Sequence, residues 1–205
     1  MARLRKPVDY ISELTSSSIE KRRAIGKLLQ ASYEGWKRTL ALEDFLDFID
    51  IIKRNKADIG AAQFFGKFRA YAFEEYIYSL LQRKAGIPTC MGIFWGEKCL
   101  MESGKPYAME FDVSIGSRIG EFIDPFLVCE AKVELDSARL KIAAASFAIL
   151  KHRKPEVKCI LVYIIKEVDD ALLWLVKQWV DAAFQLSPKN NQVREFVEYV
   201  NGILG

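Results

Sequence analysis

The chemistry open to this chain rests on Asp112, on Glu130 and Lys132 of the run Glu130-Ala131-Lys132, and on Glu74. The stretch Phe126 to Val133 is apolar, with Pro125 before it and a polar turn after it, which predicts a short strand. Side chains alternate along a strand, so Glu130 and Lys132 face the same way. A strand this apolar is expected to be covered on both faces, as central strands of α/β sheets are. Charges placed there lose hydration and need a partner or a metal. Taken alone, Glu-x-Lys is common and fits an ion pair at a strand end. The rest of the chain gives it more weight.

Elimination narrows the chemistry. The chain has one histidine, His152, within Lys151-His152-Arg153-Lys154-Pro155. No multi-histidine metal site can be built, and a Ser-His-Asp or Cys-His pair would need that one residue. Its basic neighbours suit a helix C-terminus. Cys90, Cys99, Cys129 and Cys159 form no CxxC pair and no zinc spacing. Gly60 to Lys67 has one residue too many for a phosphate loop, and Phe68 stands where Ser or Thr is required. There is no GxGxxG. Enzymatic chemistry must therefore rest on carboxylates, lysine and a hard metal ion.

Composition sets the frame. The 205 residues are 51% hydrophobic and 28% charged, enough for one globular domain with an extension. No apolar run approaches a membrane span. The basic opening, Met1 to Pro7, has no apolar core behind it, which predicts no secretory leader. Cysteines inside apolar strands predict buried thiols and a cytoplasmic, reducing setting. The net charge of +3 is uneven: residues 1–69 hold 14 Lys/Arg against 9 Asp/Glu, and the remainder 16 against 18. A basic front suits a polyanion, although a solvated helix surface gives the same count.

The elements that must position these residues follow from periodicity. Residues 9–33 predict one or two helices, with Ser16-Ser17-Ser18 as a break, and residues 34–54 predict another. Residues 61–85 predict a regular helix with the stripe Phe65, Phe68, Ala72, Phe73, Tyr76, Ile77, Leu80 and Leu81, stopped by Gly86. Glu74 borders that buried face, and Glu75 lies beside it. Short turn-rich segments follow Pro88. Tyr107 to Ile115 alternates cleanly, with Asp112 central on the polar face, and Gly116 to Gly120 predicts a hairpin turn. Leu135 to Lys151 predicts a largely buried helix, Val157 to Ile165 a central strand, 168–185 a helix with Trp174 and Trp179, and 190–204 a last amphipathic helix.

A helix with Glu74, a strand with Asp112, a strand with Glu130-Ala131-Lys132, then a helix and a strand resemble the PD-(D/E)XK nuclease superfamily over roughly residues 60 to 166. Phe111-Asp112 and Glu130-Ala131-Lys132 are the two halves of the motif, with 17 residues between them. Phe73-Glu74-Glu75-Tyr76-Ile77 is similar to the family's first helix, with Glu74 the better match and Glu75 the alternate. Phe111, not Pro, precedes Asp112, and the Gln-x-x-x-Tyr pattern of the RecB-like branch is missing.

The resemblance implies an α/β restriction-endonuclease-like fold. Its αβββαβ core would carry a mixed central sheet flanked by helices, here with an N-terminal helical extension (1–59) and C-terminal helices within a nuclease-like domain (60–205). It implies a Mg²⁺-dependent DNA endonuclease, with Mn²⁺ able to substitute. Asp112, Glu130, Glu74 and the Ala131 carbonyl would hold metal, and Lys132 would act on the attacking water and the phosphorus. Arg139 and Lys141 would contact phosphate. DNA and a second copy in a homodimer are the implied partners, and no membrane. The alternative is the same fold used without catalysis, as a DNA- or protein-binding module. A third reading is an unrelated α/β interaction protein in which Glu130 and Lys132 are a mere ion pair.

Overall fold

A computed structural model describes residues 5–100 and 108–205. The chain divides into two compact units, one within residues 5–80 and a second within Leu81–Gly205. The division falls inside a long helix. The reason lies in that helix's aromatic face.

The first unit is helical. Helix α1 (Pro7–Thr15) breaks at the serines as expected, and α2 (Glu20–Thr39) runs on past residue 33. It ends at Leu40, whose φ of +54° reverses the chain into α3 (Leu42–Arg54); a short α4 (Lys56–Ile59) and α5 (Ala62–Lys84) follow. The α5 stripe lands where the periodicity puts it: Phe68, Phe73 and Tyr76 are fully buried. Tyr10 stacks on Phe68 at 5.0 Å, and Phe45 stacks on Tyr76 at 4.4 Å. These ring pairs tie most of α5 to the N-terminal helices. Glu75 is also used here: its Oε1 accepts hydrogen bonds from the Tyr33 hydroxyl at 2.8 Å and Lys37 Nζ at 2.9 Å.

The second unit holds a seven-stranded mixed sheet. The turn-rich segment after Pro88 contains two strands, β1 (Gly92–Trp95) and β2 (Lys98–Leu100). The strand expected over Tyr107 to Ile115 is broken. Tyr107 lies outside the described residues; β3 (Ala108–Glu110) pairs with β2, while β4 (Val113–Ile119) pairs with β1. Different partners on either side of Phe111-Asp112 force the break. The polar face expected for β4 is covered, because Ser114 is fully buried between β1 and β5.

The hairpin is tighter than expected. β4 continues through Gly116 to Ile119, and only Gly120 (φ +59°) and Glu121 turn the chain into β5 (Phe122–Asp136). β5 therefore starts before Pro125. Ile115 pairs with Leu127 but Gly116 with Pro125, so Phe126 is the extra residue of a bulge. A bulge is where a proline fits inside a sheet. Gly116 is needed opposite it, since a Cβ there would stand 2.1 Å from the Asp124 carbonyl oxygen.

β5 pairs antiparallel to β4 and parallel to β6 (Lys158–Glu167), with α6 (Ser137–Arg153) as the crossover. With β1, β4 and β5 as a meander, this is the expected βββαβ order, with β2 and β3 inserted. Asp136 caps α6 by accepting the Arg139 N–H at 2.7 Å. α6 is buried on one face only, not largely buried. Leu140, Phe147 and Leu150 pack onto the sheet, while Ile142 and Ile149 are exposed. The helix expected over 168–185 is shorter: α7 (Asp170–Leu175) and a 3-10 turn (Val176–Gln178) give way to β7 (Ala182–Gln185), which pairs with β6. Asp181 fixes that change by accepting the Cys159 N–H at 2.7 Å. α8 (Val193–Leu204) closes the chain.

Gly116→Ala is expected to lower the unfolding free energy by about 3 kcal/mol, because the clashing atoms are backbone. Urea denaturation of the two proteins measures it; an unchanged midpoint would show that the bulge can relax.

Candidate active site

Strand pairing assembles the candidate site. Val113 of β4 pairs with Cys129 of β5, which sets Asp112 beside Glu130 and Ala131 at the start of β4. Asp112 Oδ2 accepts the Ala131 N–H at 2.8 Å and Lys132 Nζ at 2.9 Å. Lys132 Nζ also meets Glu130 Oε2 at 2.5 Å. Two carboxylates on neighbouring strands therefore share one ammonium. Their side chains are 13%, 11% and 20% exposed for Asp112, Glu130 and Lys132. The site is mostly sheltered yet open to solvent at one side.

Two acids against one base leave an excess negative charge in a poorly hydrated place. Burial and the Asp112 charge push the Glu130 carboxyl up to about 7, against the pull of Lys132. Burial alone would lower Lys132, but Asp112 and Glu130 outweigh it and hold the ammonium above its usual range. At neutral pH Lys132 is a cation here, not a free amine. Neighbouring thiols are inert: burial, then the two carboxylates, raises Cys129 well above the thiol range.

This donor set fits a hard divalent cation. It consists of oxygen atoms, carries surplus negative charge, and includes an acid whose ionisation is held back for want of positive charge. Among the described residues, no three His, Cys, Asp or Glu side chains form a metal-holding group. Two carboxylates would need backbone oxygen and water to complete a shell.

Each predicted site residue has a place. Asp112, Glu130, Ala131 and Lys132 come together through direct hydrogen bonds. Glu74 and Glu75 belong to the helical unit, buried on α5 at 4% and 6% exposed, and Glu75 is engaged by Tyr33 and Lys37. Arg139 is paired with the α6 cap Asp136, and Lys141 is exposed on the same helix. The Ala131 N–H was not foreseen as the group that orients Asp112. No sequence signal marks a backbone donor whose role comes from a strand break.

No protein-family model matches the chain, and no curated protein matches it in sequence. Solved structures do. The native BbvCI A2B2 tetramer shares 13% identity over 93% of this chain and 86% of that one, with a TM-score of 0.52. The restriction endonuclease PspGI in complex with substrate DNA shares 10% identity over 98% and 93%, also with a TM-score of 0.52. This chain has a restriction-endonuclease-like fold. At such identity the likeness establishes the fold alone. No helix among the described residues is long and apolar enough to cross a membrane.

The raised Glu130 carboxyl makes a linkage prediction. The folded protein holds that proton to a higher pH than the unfolded chain, so stability falls as pH rises from about 4.5 to about 7. Glu130→Gln should remove on the order of 2 kcal/mol of this loss, making the metal-free variant more stable than wild type at about pH 8 and similar at about pH 4. Thermal melts in EDTA across that range test it. A wild-type profile as flat as the variant's would count against the charge imbalance.

Proposed function

We propose that this protein is a divalent-metal-dependent endodeoxyribonuclease hydrolysing phosphodiester bonds. One observation carries the reading: Asp112 and Glu130 converge from adjacent strands on a single lysine and leave a surplus negative charge among oxygen ligands. The restriction-endonuclease-like fold supports it, because fold and site point to the same chemistry by separate routes. The nuclease-like domain of residues 60–205, with 1–59 as its helical extension, is part of this reading. So are DNA as substrate, a homodimer as the working form, and a reducing cytoplasmic setting, which four free cysteines suit.

In this reading Asp112 and Glu130 hold Mg²⁺, or Mn²⁺ in its place, with the Ala131 carbonyl as a further oxygen. When bound, such an ion would lower the pKa of the attacking water and offset charge on the phosphate. Lys132 orients the attacking water and stabilises the negative charge that builds on the phosphoryl oxygens. Its raised affinity for protons in the metal-free protein favours the charge-stabilising role. Arg139 and Lys141 contact phosphate from the start of α6.

The test uses supercoiled plasmid, linear duplex and a four-way junction, each with Mg²⁺, Mn²⁺ or EDTA. Wild type is expected to cut with metal and not in EDTA. Glu130→Ala and Lys132→Ala should each lose at least about 10²-fold in rate. Mg²⁺ should also raise the wild-type melting temperature at pH 8 but not that of Glu130→Ala. Cutting that survives both variants would overturn this assignment. Duplex binding and a metal-induced melting shift without any cutting would favour the inactive binding module.

A further inference from the structure

We infer that the face formed by α7 and its 3-10 turn is a two-fold interface between two copies of this chain, each copy's Trp174 seating in the other's cleft. The inference rests on the proposed homodimer and names the surface that makes it.

The face pairs a knob with a hole. Trp174 is 67% exposed and Leu175 58%, a large apolar surface for two adjacent residues. Beside them lies a cleft of about 760 Å³, floored by Leu173, Val176, Val180 and Phe184. That volume takes an indole with room to spare. Trp174 lines the same cleft and leaves most of its indole in solvent.

Charge identifies the occupant. Asp170, Trp174 and Lys177 all line the cleft, at spacings of four and three residues. Asp181 also lines the cleft and Lys166 pairs with Asp170 in the same chain, so the full order along the segment is base, acid, aromatic, base, acid. Reversed by a two-fold axis near Trp174, that order complements itself: Asp170 of one copy meets Lys177 of the other at both ends, with the indoles between them. An isologous contact needs this self-complementarity. α6 also exposes an apolar stripe, at Ile142 and Ile149, but the helix Ser137–Arg153 contains basic residues and no acidic ones. Two copies meeting there would set like charges together. A central aromatic in an apolar pocket, ringed by opposite charges, is the usual distribution of binding energy in a specific interface.

Sedimentation velocity on the full chain in EDTA tests this. Wild type is expected to be a dimer at micromolar concentration. Trp174→Ala should weaken dimerisation by roughly 30-fold or more, and Lys177→Asp should weaken it as well. The swap Asp170→Lys with Lys177→Asp should recover the dimer. A wild type that stays monomeric, variants that remain as dimeric as wild type, or a swap that fails to recover would each overturn the inference. These positions are exposed, and circular dichroism would show that the variants are folded. Plasmid nicking with Mg²⁺, measured on the same samples, separates the two readings. A dimer that cuts nothing leaves the interface standing without the nuclease, and a monomer that nicks does the reverse.

Discussion

Two carboxylates held against one ammonium at the edge of a buried sheet are the constraint on which the second unit depends. Burying an unbalanced charge is expensive unless the geometry is fixed and the spare oxygens have donors. Here β4 and β5 supply both. Their pairing brings Asp112 to the Ala131 N–H, and the alternation of β5 places Glu130 and Lys132 on one side. The bulge at Phe126, allowed by Gly116 and Pro125, lets β5 twist from its hairpin into its long parallel contact with β6. The core that covers the sheet, with Phe111, Leu140, Phe147 and Leu161 at its centre, gives the stability against which this cost is set.

The helical unit shows the contrast. Glu75 is as buried as Glu130, and one of its oxygens is met by one lysine and one tyrosine. That is the usual condition of a buried ion pair. The Asp112, Glu130 and Lys132 group departs from it by one negative charge, and this departure separates a site from a structural pair. Lys132 is the counter-ion that Asp112 and Glu130 share.

Fold and chemistry contribute different parts of the functional reading. Similarity to restriction endonucleases across nearly the whole chain, at 10–13% identity, shows that this layered sheet persists when almost every side chain has changed. A fold of this kind can host many activities or none. The proposal of phosphodiester chemistry rests instead on three charged residues, their burial and the hydrogen bonds that join them.

Much of this could be read from residue order. The α5 stripe, the apolar run before Glu130, the strand after α6 and the Asp112/Glu130/Lys132 set all follow from side-chain periodicity and residue type, because those patterns are local. What local pattern could not supply was partnership. Alternation ran unbroken through Phe111-Asp112, yet the chain breaks there because β3 and β4 pair with different strands. Pro125 looked like a strand boundary and became part of a bulge because Gly116 lies opposite. Trp174 and Trp179 suggested a helix, but Asp181 and the open edge of β6 draw the chain into a strand. Residue identity alone determined which groups could do chemistry and excluded histidine, zinc and thiol mechanisms. The tertiary structure alone decided that Asp112 and Glu130 share one lysine, since that depends on strand register, which is set by contacts between residues far apart in the chain.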